Sequence, residues 1–152
     1  LGFMYMFGLG VSQDYAKAAY WYQKAAEKED PDAMYYLAFM YHLGHGVSQD
    51  YAKAFYWYQK AAEKGEPKAM NSLGSMYKLG HGVSQDYAKA VYWYRKAAEL
   101  GDSWAMYHLG QMYENGQGVP QSYEKAVYWY RKAAELGNKT AKAKLQRDKK
   151  KY

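Results

Sequence analysis

An all-α solenoid of stacked helical hairpins is the fold that this sequence predicts, on three observations. Trp21, Trp57, Trp93 and Trp129 recur every 36 residues, and Val11, Val47, Val83 and Val119 keep the same interval. Within a period, apolar side chains twice fall into the i, i+3, i+4, i+7 spacing of an amphipathic helix, with glycines between the two runs. The composition, 49% hydrophobic with 3 Pro and no Cys in 152 residues, fits a packed apolar core and excludes disorder, collagen and a disulfide-stapled mini-protein.

The second helix of each period, helix B, is the clearer of the two. In Asp50 to Lys64 an apolar stripe runs through Tyr51, Ala54, Phe55, Tyr58, Ala61 and Ala62 and is widened by Trp57. Asp14, Asp50, Asp86 and Ser122 stand where a side-chain oxygen can accept from an unpaired first-turn amide, so they are expected N-caps. Gly65, Gly101 and Gly137 fit the left-handed position just past the helix end, and Glu29 is the exception in that series.

Helix A precedes it, over about Asp32 to Leu43, Lys68 to Leu79 and Trp104 to Asn115, with Pro31 and Pro67 as first-turn prolines and Gly44, Gly80 and Gly116 as stops. The linking loop, Gly44-His45-Gly46-Val47-Ser48-Gln49 in one copy, reads as a turn. No strand precedes its glycine pair and the third glycine of a dinucleotide fingerprint is absent, so a phosphate cradle is disfavoured.

The net charge of +6 divides unevenly. From Asn138 to Tyr152 there are seven bases and one acid, which leaves 14 of each in residues 1 to 137. The body is therefore neutral, and counterion-driven nucleic-acid binding has no broad positive surface there. No apolar run reaches the roughly 20 residues that a membrane-spanning helix needs.

The residues resemble a known family. The pattern Ala69, Leu73, Gly74, Tyr77, then Gly80-x-Gly82-Val83, then Asp86, Lys89, Ala90, Trp93, Tyr94, Lys96-Ala97-Ala98-Glu99 and Gly101 is similar to the Sel-1-like repeat, a relative of the tetratricopeptide repeat. The resemblance implies a right-handed superhelix of stacked hairpins that works by binding other proteins. Stacking also follows independently, because a 36-residue hairpin cannot bury its apolar face alone.

Residues 1–137 are expected to form about four units, the first lacking roughly the first turn of helix A because Leu1 aligns with Leu37. Further repeats upstream in a longer parent are an expectation from the same alignment. Residues 138–152 are expected to be a polar, basic cap, with Lys142, Lys144, Arg147 and Lys149 where Met106, His108, Gln111 and Tyr113 stand one period earlier.

Comparing the copies with one another locates a candidate site. The loop and helix B match at 18 of 21 positions between residues 44–64 and 80–100, whereas helix A matches at 6 of 12 between residues 32–43 and 68–79. Its constant positions (Ala33, Met34, Leu37, Met40, Tyr41) and its variable ones (32, 35, 36, 39, 42) fall on opposite faces at 100° per residue. The variable face gives Phe3 and Met6 in the first unit, and Tyr35, Phe39 and His42 in the second. It continues with Asn71, Ser75 and Lys78, then with Trp104, Tyr107, Gln111 and Glu114. By resemblance, this face lines a concave groove that takes a peptide or protein partner, with Trp104 a leading contact because it alone lies outside the 36-residue tryptophan series.

The recurring aromatics have other roles. Trp57 and its counterparts, with Tyr51 and Tyr58, are expected to pack between helices, whereas Tyr20, Tyr56, Tyr92 and Tyr128 fall on the outer side of helix B beside Lys53 and Lys60. Catalytic constellations are hard to assemble. His42-x-x-His45 straddles a helix end without further ligands nearby, no serine sits in a nucleophile elbow, and there is no thiol. No enzyme activity, cofactor or metal is expected. Two alternatives carry through: binding or weak hydrolysis of cell-wall fragments or β-lactams, implied by cysteine-rich family members whose cysteines are absent here, and a lysine-rich tail contacting anionic lipid or nucleic acid.

Overall fold

The computed structural model describes residues 1–149, and among these every regular element is a helix. In chain order they are α1 (Gly2–Phe7), α2 (Tyr15–Glu27), α3 (Pro31–Leu43), α4 (Tyr51–Glu63), α5 (Pro67–Leu79), α6 (Tyr87–Glu99), α7 (Ser103–Asn115), α8 (Tyr123–Glu135) and α9 (Lys139–Asp148). Odd-numbered helices are the A helices and even-numbered ones the B helices. Each packs on its neighbours in sequence, which is the arrangement of a stacked solenoid.

The termini are set by local chemistry. Asp14, Asp50, Asp86 and Ser122 each accept from the amide three residues on, as the sequence predicts. The A helices start one residue earlier than predicted, because Pro31 and Pro67 are themselves helical and the caps are Asp30, Glu66 and Asp102. Gly44, Gly80 and Gly116 end them in the left-handed region. Glu29 adopts the same region, with φ 67°, where its counterparts are glycines. A loop glutamine closes each turn: the Nε2 groups of Gln13, Gln49, Gln85 and Gln121 donate to the carbonyls of Met6, His42, Lys78 and Glu114.

Within a hairpin, the constant face of helix A and the alanine stripe of helix B form the core. Ala33, Met34, Leu37 and Met40 are buried, as are Ala69, Met70, Leu73, Met76 and Ala105, Met106, Leu109, Met112. The largest wholly buried side chains are Tyr58, Tyr94 and Tyr130 of the B helices. Their rings need small residues opposite. A Cβ on Gly74 would stand 2.8 Å from the Tyr94 ring, and one on Gly110 2.6 Å from that of Tyr130.

The four periodic tryptophans depart from the packing expected of them. They are half-buried; Trp57, Trp93 and Trp129 lie against the edge of the core, and Lys60, Lys96 and Lys132 cover their outer faces at 5.7 to 5.9 Å. The tyrosine one position on, which points inward, takes the central place.

Successive hairpins meet at the loops. His45 stacks on Tyr15 of the preceding hairpin at 4.7 Å, and His81 on Tyr51 at 4.4 Å. Beside them the second loop glycine approaches the backbone of the previous helix B so closely that a Cβ on Gly118 would meet the Tyr87 carbonyl oxygen at 2.5 Å.

At the last hairpin α9 packs on α8, and Asp148 takes the place of buried Met112. Lys144 bridges Asp148 at 3.0 Å and Glu114 at 2.9 Å, so one base of the predicted tail is neutralised within the fold. No described helix is long and apolar enough to cross a membrane.

Candidate functional site

The variable positions of the A helices come together on one side of the odd-numbered layer. Tyr35, Phe39, His42, Asn71, Ser75, Lys78, Tyr107, Gln111 and Glu114 are half-buried, and Trp104 is 48% exposed. Phe3 is exposed as expected. Met6 is a correction: at 6% exposure it belongs to the buried core, where an apolar side chain loses less on leaving water than the His, Lys and Glu that stand at the equivalent place in the later copies.

Polar groups at the places of Phe3 and Met6 bond to buried tyrosines in the later copies. His42 Nδ1 lies 3.4 Å from the Tyr58 hydroxyl, Ser75 Oγ lies 2.8 Å from that of Tyr94, and the Tyr130 hydroxyl donates to Glu114 at 3.4 Å. In the first hairpin, with Phe3 and Met6 at these positions, the Tyr22 hydroxyl is buried without a partner among the described residues. Burial raises the pKa of Tyr22 and Tyr58 and takes that of Tyr94 up to about 12, so these three remain neutral hydroxyls. In the three later hairpins an unvarying tyrosine thus meets a partner that varies.

On α3, Tyr35 meets Phe39 at 6.4 Å and Tyr58 at 5.9 Å. On α7, Trp104 and Tyr107 make an edge contact at 5.9 Å, and Gln111 donates to the Tyr107 hydroxyl at 3.1 Å. Between these aromatic groups, α5 offers Asn71, Ser75 and Lys78. His108, which the sequence reading passed over, joins α5 to α7: its Nδ1 donates to Asn71 Oδ1 at 2.9 Å, and its ring lies against Tyr94 at 5.1 Å. Burial, with the nearby Lys78 charge, lowers the His108 pKa to about 4. The signal was present in the sequence, since Tyr36, Ser72 and His108 differ at one equivalent position.

Lys78 has a particular environment. Burial alone lowers its pKa, and among the described residues no carboxylate pairs with it. The opposite edge of the face is acidic, and the Glu66 carboxyl there is held above its ordinary range by burial first and then by the neighbouring Asp32.

His42 and His45 diverge, His42 toward Tyr58 and His45 onto Tyr15, and among the described residues no group of three or more His, Cys, Asp or Glu is arranged to hold a metal. On the other side of the molecule Tyr20, Tyr56, Tyr92 and Tyr128 are about half exposed, each with a lysine ammonium 5.1 to 5.2 Å over its ring. Of the tail bases, Lys150 and Lys151, with Tyr152, lie outside the described residues.

A layered stack of short helical hairpins, with repeated packing and a divergent helix-A face, defines a helical-repeat protein. The Sel1 repeat model matches residues 1–30, 31–66, 67–102 and 105–138, and the chain belongs to that family. Sel1-repeat proteins are generally protein-interaction scaffolds and typically not enzymes. Many solved structures are similar, three of them as follows. A protective antigen of uropathogenic Escherichia coli strains, displaying an SLR fold, is 44% identical with a TM-score of 0.90, covering 97% of this chain and 32% of that one. A Sel1 repeat protein from Oxalobacter formigenes is 40% identical with a TM-score of 0.91, covering 97% and 60%. Helicobacter pylori cysteine rich protein B is 30% identical with a TM-score of 0.68, covering 88% and 96%. The chain therefore spans about a third of the first of these and three-fifths of the second. No curated protein matches it significantly.

Proposed function

We propose that this chain is a non-enzymatic scaffold that grips a peptide or protein protrusion on the helix-A face running from Tyr35 and Phe39 to Trp104 and Tyr107. The observation that carries the reading is the segregation of the two faces of helix A: from α3 to α7 the side chains that repeat between copies are mostly buried, and the named ones that differ stand half-exposed or exposed together. A surface serving only to pack would have kept its residues as helix B has. Aromatic side chains at both ends supply the rigid apolar area that interface anchors use.

Affinity capture with the wild-type chain, with a Trp104→Ala/Tyr107→Ala variant and with a Tyr56→Ala/Tyr92→Ala variant tests this. Partner recovery falls with the first variant and stays with the second, at unchanged melting temperature. Loss with the second variant alone places recognition on the outer tyrosines and removes the proposal. Neither a lactam or cell-wall activity nor a tail-mediated contact gains support from any side-chain arrangement among the described residues.

A further inference from the structure

We infer that Lys78 is the anion-binding point of the helix-A face, and that the segment it receives is an extended peptide carrying a carboxylate bracketed by apolar or aromatic residues. This rests on the binding role proposed above and specifies the partner's chemistry.

The geometry supplies the argument. Lys78 lies in the last turn of α5, half-buried, with no carboxylate partner among the described residues. Removing an ammonium from water without a counter-charge is unfavourable, and an anion brought by a ligand relieves that cost. The acid in the corresponding place on α7, Glu114, is already held by Lys144 and Tyr130. The base in the corresponding place on α3, His42, is turned to the Tyr58 hydroxyl. Lys78 is therefore the uncommitted charge in that row.

Its surroundings suit a carboxylate. Asn71 accepts from His108 through Oδ1, which leaves its amide N–H groups without a protein acceptor among the described residues. Ser75 stands one turn before Lys78 on the same face of α5, its hydroxyl paired with that of Tyr94 on α6. His108 is neutral near pH 7, so the ammonium carries the local positive charge. On the hairpins before and after stand Phe39 with Tyr35 and Trp104 with Tyr107, which bracket the polar centre with apolar area. A peptide laid across α3, α5 and α7 meets aromatic, cationic and again aromatic surface. Charge complementarity selects the acid, and the flanks select its neighbours.

The test is a selection from random dodecapeptides displayed on phage, run with the wild-type chain and with Lys78→Met. One library carries a free peptide C-terminus and one has both ends fused, which separates a terminal carboxylate from an Asp or Glu side chain. Wild type enriches an acidic group beside aromatic or aliphatic residues, and Lys78→Met keeps the apolar preference but loses the acidic one. A winning peptide, synthesised, binds Lys78→Met about tenfold or more weakly, as loss of a charge-assisted hydrogen bond requires. Its affinity for wild type falls with added salt. Circular dichroism and melting confirm that Lys78→Met is folded. Apolar enrichment without acids, or the same acids selected by both proteins, overturns this inference and leaves the binding face standing. No enrichment by wild type over a blank support removes the binding face and the inference with it.

Discussion

The joint between hairpins can be weakened by one methyl group. In Gly118→Ala the new Cβ would sit 2.5 Å from the Tyr87 carbonyl oxygen, 2.7 Å from its carbon and 3.0 Å from the Ala88 nitrogen. All three are backbone atoms at the start of α6, so no rotamer change relieves the clash. The residue also has φ +73°, which costs an alanine about 1–2 kcal/mol. Gly101→Ala is the matched control, with φ +93° and nothing within 4 Å of its Cβ, so it carries the conformational cost alone. Overpacking adds about 1–3 kcal/mol, and Gly118→Ala should be less stable than Gly101→Ala by that amount. Urea unfolding followed by circular dichroism and by tryptophan fluorescence measures both. Because stability in a stack is a sum of units and nearest-neighbour interfaces, Gly118→Ala should also broaden the transition or divide it. Equal losses for the two variants would refute the reasoning, since the close approach of loop to helix would then contribute nothing.

Further outcomes follow from the buried rings. Tyr94→Phe should cost about 1 kcal/mol in chemical denaturation by breaking the 2.8 Å bond to Ser75, whereas Tyr22→Phe should be neutral or stabilising, because its hydroxyl is buried unpaired; equal costs would disprove the distinction. Tyr58→Ala should lose about 3–5 kcal/mol through a cavity, and half-buried Trp57→Ala should lose less; the reverse order in melting would make the tryptophan the true core. His108 has a folded pKa of about 4, below the roughly 6.5 of an unfolded chain, so the unfolded state binds the extra proton between these values. Its contribution is complete above pH 6.5 and is lost as pH falls toward 4, a change of order 1–3 kcal/mol. The raised carboxyls of Asp102 and Glu66 act in the opposite sense, so the measurement is the difference between wild type and His108→Ser, which borrows Ser72 from the equivalent place. Stability profiles of the same slope would remove His108 as the source.

Periodicity by itself determined most of this molecule. A 36-residue interval, an apolar stripe at helical spacing, capping side chains and terminal glycines are local signals, and each acts through its own few residues. They placed the helices to within a residue of α3, α5 and α7, and the contrast between constant and variable positions marked one face of helix A. Tertiary structure decided what lies between elements. That Tyr58 rather than Trp57 fills the centre depends on which side of α4 meets α3. That Met6 is buried, while His42 and Glu114 are half-buried and bonded to the hydroxyls of Tyr58 and Tyr130, depends on tyrosines of another helix. That Glu114 is paired depends on Lys144, from a helix beyond the repeats. These are relations among side chains distant in sequence, and only the stacking of hairpins brings them within reach of one another.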